Sequence, residues 1–140
     1  MKGKYLLLIA LAAAVGVGIG LFLYYQKMPS MAHQKADMTV SAAELYAAFE
    51  ADENAANARY LGKILAVEGI VREARTLPDG TVKILLDTGE AKDFGVLCEL
   101  DPNTQHKRTT FKTGERLIVK GECAGLNFDV LLARCAVVDK

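Results

Sequence analysis

The chain has no tryptophan, only two histidines, three prolines and three cysteines, and no surplus of either charge, with 17 basic and 17 acidic side chains in 140 residues. Zero net charge argues against a globally basic nucleic-acid binder, and 51% hydrophobic residues are too many for a disordered tail. No Cys-x-x-Cys pair occurs and neither His33 nor His106 completes a four-ligand spacing, so no metal site is expected. A nucleophilic Cys98 assisted by His106 would need an exposed, activated thiolate, whereas Cys98 falls on the inward side of an expected strand. No catalytic residue or cofactor motif is left, and the expectation is a protein that is not an enzyme.

The balanced charge is unevenly placed. Lys2, Lys4 and Lys27 precede the first acidic residue, Asp37, so residues 28–140 carry 14 basic groups against 17 acidic ones. The same N-terminal region holds the one long apolar run. Tyr5 to Tyr25 is a stretch of 21 residues without a charge, and at about 1.5 Å per residue it covers the ~30 Å of a bilayer interior. Tyr5 at one end and Tyr24 and Tyr25 at the other lie where aromatic belts form. Lys2, Lys4 and the terminal amine outweigh Lys27, which predicts an N-terminus in the cytoplasm and a domain in the periplasm or outside a bacterial cytoplasmic membrane. A cleaved signal peptide is the rival, with Ser30 and Ala32 as small residues at its cleavage site, but its apolar region is usually shorter. No Cys follows the run, which argues against a lipidated N-terminus. Ala12, Gly16 and Gly20 recur every four residues, a spacing that lets two such helices approach and dimerise, although Gly and Ala are also simply common in these helices.

Three regions follow: an anchor over 1–27, a tether over 28–40 and a folded domain over 41–140. The tether reading rests on polar residues, Pro29 and the lack of an apolar period. Ser41 and Glu44 form a capping box that starts a helix carrying Leu45, Tyr46 and Phe49, and Val40 is placed to staple onto Leu45. Asp52 caps a second short helix, closed by Gly62. Beyond Gly62 the period becomes two. Strands are expected around Leu65–Val71, over Val82–Asp87, over a third run with Phe94, Val96, Cys98 and Leu100 inward, over a fourth with Leu117, Val119, Gly121 and Cys123 inward, and over 128–138 with Leu131, Ala133, Cys135 and Val137 inward. Pro78, Asp79 and Gly80 make a turn, and Asp101-Pro102 is read as the start of a short helix through Thr110. Five short strands with Gly69 and Gly121 inside them predict a small closed barrel: mainly β, five-stranded, preceded by short α-helices and one transmembrane helix.

The stretches Ala58-Arg59-Tyr60-Leu61-Gly62-Lys63 leading to Val67-Glu68-Gly69-Ile70-Val71, then Val96-Leu97-Cys98, Lys112-Thr113-Gly114-Glu115, Val119 to Gly125 and Phe128 to Cys135 resemble the bacterial tRNA_anti-like family of OB-fold domains. The resemblance covers roughly residues 41–138 and implies an OB-like Greek-key barrel behind a membrane or lipid anchor, with no accepted ligand or catalytic residue. In such a barrel the third and fifth strands run parallel, which favours a Cys98–Cys135 disulfide. A Cys123–Cys135 pair and three buried free thiols remain open. Haem chaperones of cytochrome maturation share the plan of anchor plus barrel, but neither His33 nor His106 has the His-Asp-Glu-Asn-like context that binds haem.

OB barrels bind ligands across their second and third strands and adjoining loops. Those regions here offer Arg72, Arg75, Lys83, Lys92 and Asn127 as a possible ligand face, against the plainer reading of scattered solvated charges. Tyr60, Phe94, Phe111 and Phe128 are read as core, leaving no exposed rings for base stacking. The expected function is therefore an extracytoplasmic, membrane-anchored, noncatalytic module that binds a protein or an envelope oligosaccharide. Single-stranded nucleic acid is the alternative, and is disfavoured.

Overall fold

The computed structural model describes residues 2–26, 29–89, 93–102 and 104–138. The first element, α1 (Lys2–Tyr25), has no buried residue, and it is long and apolar enough to cross a membrane. Ala12, Gly16 and Gly20 lie along it, with open space beside both glycines.

After α1 the chain does not hang free as the tether reading expects. Met31–His33 form one turn of 3-10 helix that docks on the barrel, with Met31 fully buried. Ser30 and Thr104 share a hydroxyl hydrogen bond of 2.8 Å, the Arg134 guanidinium donates to the Pro29 carbonyl at 2.8 Å, and Lys120 Nζ donates to the Ala32 carbonyl at 3.1 Å. Then β1 (Met38–Ser41) runs parallel to β2 with Met38 opposite Leu65. Sequence periodicity cannot see this strand, because four residues carry no pattern and its partner is more than twenty residues further along.

The capping box forms as expected at the start of α2 (Ala42–Ala51): Glu44 N–H donates to Ser41 Oγ and Ser41 N–H to the Glu44 carboxylate. Asp52 caps α3 (Glu53–Tyr60) through the Ala55 N–H at 3.1 Å, and Gly62 follows with φ of 76°. Leu45, Tyr46 and Phe49 of α2 bury against the barrel, and the Phe49 ring lies 6.2 Å from that of Tyr60.

Five strands close the barrel: β2 (Ile64–Thr76), β3 (Val82–Asp87), β4 (Val96–Leu100), β5 (Arg116–Asn127) and β6 (Asp129–Val137), with β1 as a sixth, outside strand. The order is β2-β3-β4-β6-β5, and β5 returns to pair with the first half of β2. This is the expected OB arrangement, with β4 and β6 parallel and the other barrel pairs antiparallel. β2 serves two neighbours by shifting register between Val71 and Glu73, a bulge that bends the strand. Leu65, Val67, Ile84, Leu86, Val96, Val119, Val130 and Leu132 fill the interior.

Three local expectations fail. Among the described residues no helix follows Asp101; its buried carboxylate instead accepts from Thr104 Oγ1 at 2.9 Å and from the Met31 N–H at 3.5 Å. The last strand has the opposite phase, with Val130 and Leu132 inward, until a bulge at Arg134 (φ 54°) restores Cys135 to the interior. Phe94 precedes β4 instead of belonging to it, and both Phe94 and Phe128 are exposed, whereas Tyr60 and Phe111 are buried as expected.

Candidate functional site

Register places the outward side chains of β2, β3 and β4 in rows. Arg75, Lys83 and Glu99 share one row; Glu73, Leu85 and Leu97 share the next, which Leu131 of β6 extends. Arg75, Leu77, Lys83, Leu85 and Leu97, with Glu73, line a shallow groove of about 350 Å³. This is the face that OB folds use, formed by the second and third barrel strands.

Its charges are compensated. Lys83 Nζ lies 3.7 Å from Glu99, Arg75 is hydrogen-bonded to Glu73, and Arg72 Nη2 donates to Asp87 Oδ1 at 2.8 Å. The Gly89 N–H, assisted by the Arg72 guanidinium, holds the Asp87 carboxyl below the usual carboxylate range. Among the described residues Arg72, Arg75 and Lys83 each face an acid, leaving little net positive potential for a polyanion.

At the Val96 end of this face the β3–β4 connection meets the β5–β6 hairpin. There Phe94 and Phe128, 41% and 71% exposed, stack with ring centroids 5.6 Å apart. The pair is held from beneath. Gly95 N–H donates to Asp129 Oδ1 at 2.8 Å, Val130 N–H donates to the Gly95 carbonyl at 3.0 Å, and a Cβ on Gly95 would stand 2.2 Å from the Leu86 carbonyl oxygen. Only glycine therefore fits beside Phe94. Phe128 occupies the hairpin tip with φ of 65°, a conformation that is uncommon for a bulky residue and costs about 1–2 kcal/mol.

Of the residues that sequence selects, Arg75 and Lys83 are cross-strand partners. Arg72 is engaged with Asp87 at the next bend, and exposed Asn127 flanks Phe128 at the hairpin. Lys92 lies outside the described residues. The two phenylalanines are the functional candidates that pattern reading missed. Asn127 and Asp129 on either side of Phe128, and Gly95 after Phe94, are turn and close-approach residues that could have flagged them.

The cysteines form no disulfide; Cys98, Cys123 and Cys135 are buried free thiols. This corrects the expected Cys98–Cys135 bridge, although the parallel β4 and β6 do bring those two thiols into contact. The Cys135 thiol instead donates to the Leu132 carbonyl at 3.2 Å. Burial pushes the Cys135 thiol well above its ordinary range, reinforced by Cys98 beside it, and burial raises Cys123 as well.

The tRNA_anti-like family model matches residues 1–137, almost the entire chain. The chain belongs to the tRNA_anti-like family. No curated protein matches it. Among solved structures it is similar to a lipoprotein of Klebsiella pneumoniae subsp. pneumoniae MGH 78578, provisionally described as nucleic acid-binding, at 19% identity and a TM-score of 0.60 over 76% of this chain and 100% of that one. At that identity the likeness carries the tRNA_anti-like fold and nothing about the ligand.

Proposed function

We propose that this tRNA_anti-like protein is a noncatalytic binding module, anchored by α1 and displayed on the extracytoplasmic side of a bacterial cytoplasmic membrane, and that its ligand is an envelope oligosaccharide. The exposed Phe94–Phe128 stack beside the groove of β2, β3 and β4 carries this reading. Stacked exposed rings offer an apolar platform to the faces of sugar rings, while Asn127 and the ion-paired side chains of the groove offer hydrogen bonds to hydroxyl groups. Placement outside the cytoplasm is supported by Lys2 and Lys4 ahead of the apolar helix.

The same stack favours one second reading, a single-stranded nucleic acid, because bases also stack on exposed rings. That ligand needs a basic groove, and here Arg72, Arg75 and Lys83 each face a carboxylate. The deciding experiment is titration of the full-length protein in detergent with chitin-type oligosaccharides and with a short oligothymidylate, using wild type and Phe128→Ala. Saturable sugar binding that Phe128→Ala abolishes supports the proposal. Salt-sensitive oligothymidylate binding without sugar binding would replace it with the second reading.

A further inference from the structure

The open face of β2, β3 and β4 changes chemistry in three steps along β4. Phe94, just ahead of the strand, stacks on Phe128; Leu97 lies three residues further on, and Glu99 two beyond it. From Phe94 to Glu99 is about 17 Å at ~3.3 Å per residue. Leu97 has Leu85 of β3 as register partner on one side and Leu131 of β6 on the other, so three half-buried leucines form a strip about 10 Å wide at ~4.8 Å between strands. Past the strip Lys83 faces Glu99 at 3.7 Å, and Arg75, the cross-strand partner of Lys83, is hydrogen-bonded to Glu73.

These zones suit different parts of one ligand. Exposed rings take the face of a sugar ring, and leucine side chains take small apolar groups. Arg75 and Glu99 are 71% and 52% exposed, and ion pairs this exposed are weak, so their members can exchange partners with charged groups of either sign on a ligand. A bare neutral glycan would use the rings and leave the leucines and charges idle. An acyl chain would cover the leucines but run into the charged row. A peptide joined to a sugar meets all three zones in order, and at no more than about 3.5 Å per residue some five residues cover the ~17 Å from rings to charges.

We propose that the ligand of this face is a glycopeptide, its sugar ring on Phe94 and Phe128 and its short peptide lying over Leu97 toward Arg75, Lys83 and Glu99. This assignment rests on the oligosaccharide reading and adds a second recognised part to it. Carboxylates of the peptide meet Arg75 and Lys83, an ammonium group meets Glu99, and methyl side chains lie on the leucine strip. The rings hold the sugar, and the peptide is what tells one envelope glycan from another.

The full-length protein in detergent would be titrated calorimetrically with N-acetylglucosaminyl-N-acetylmuramyl pentapeptide, with the same disaccharide whose lactyl carboxyl is amidated instead of joined to peptide, and with the pentapeptide alone. The glycopeptide is expected to bind at least ~10-fold more tightly than the disaccharide, the effect of about one charge-assisted hydrogen bond. That increment should shrink at high salt and in Lys83→Gln while disaccharide binding holds, and Phe128→Ala should weaken both. The comparison between ligands and the salt series leave the sequence untouched, so neither result can be a folding failure. Equal affinity for glycopeptide and disaccharide would overturn the glycopeptide assignment and leave the oligosaccharide reading standing. Peptide alone binding as tightly as the glycopeptide, or no binding of either sugar-containing ligand, would remove both.

Discussion

Phe94 and Phe128 lie 34 residues apart and stack at the mouth of the barrel, joined through the hydrogen bond from Gly95 N–H to Asp129 Oδ1. The contact couples the β3–β4 connection to the β5–β6 hairpin and sets two rings in solvent at the end of a groove. Solvated aromatic rings gain little from burial, and the proposed oligosaccharide ligand would cover them.

Phe128→Gly should leave thermal stability unchanged or raise it, because glycine adopts φ of 65° without the ~1–2 kcal/mol penalty and little buried area is lost. Phe128→Val should lower the melting temperature. Both should weaken the ligand, and a thermal melt paired with the sugar titration separates stability from binding.

Gly121→Ala should destabilise the barrel by about 1–3 kcal/mol, since the new Cβ would stand 2.6 Å from Cys135 Sγ and 3.2 Å from the Ala133 carbonyl oxygen. Adding Cys135→Ala should recover part of that loss. A double-mutant cycle in urea measures the coupling, and strictly additive effects would count against the contact.

Met31→Ala should cost about 2–5 kcal/mol, the range for emptying a fully buried methionine site. A free tether would lose nothing. Denaturant unfolding of the full-length protein in detergent decides between these outcomes.

The acid limb of stability should include a small contribution from Asp87. Its folded carboxyl titrates below the ordinary value, so the stabilisation is present above the unfolded pKa of about 3.9 and is lost as pH falls through the lower folded one. The group is partly exposed and screened, so Asp87→Asn should remove less than about 1 kcal/mol at neutral pH and nothing at strongly acid pH. Unfolding curves at the two pH values give the difference.

Thiol chemistry should follow burial. Under native conditions at mildly alkaline pH all three cysteines should resist alkylation, because they are buried and because the Cys123 and Cys135 thiols are pushed up. Denaturation without reductant should expose three free thiols by mass. A linked Cys98–Cys135 peptide would contradict the free pair.

Elements whose signal is local were legible from sequence: the apolar helix from its uncharged run, α2 and α3 from Ser41 with Glu44 and from Asp52, and the closed barrel from alternating runs that leave one face apolar. Arg75 and Lys83 were expected to share one face, and they are cross-strand partners because β2 and β3 pair antiparallel. The docked Met31 turn, β1, the Arg134 bulge and the exposed phenylalanines depend on partners tens of residues away. A period-two pattern assigns Phe94 and the last strand to a phase; one residue at φ of 65° and another at 54° reset that phase, and composition carries no trace of either. The sequence by itself determined the apolar N-terminal helix, the helix starts and the barrel, since capping and hydrophobic period act between neighbours in the chain. The tertiary structure alone decided which wall the connecting segment grips and which rings reach solvent, since hydrogen bonds and close backbone packing between distant strands set both.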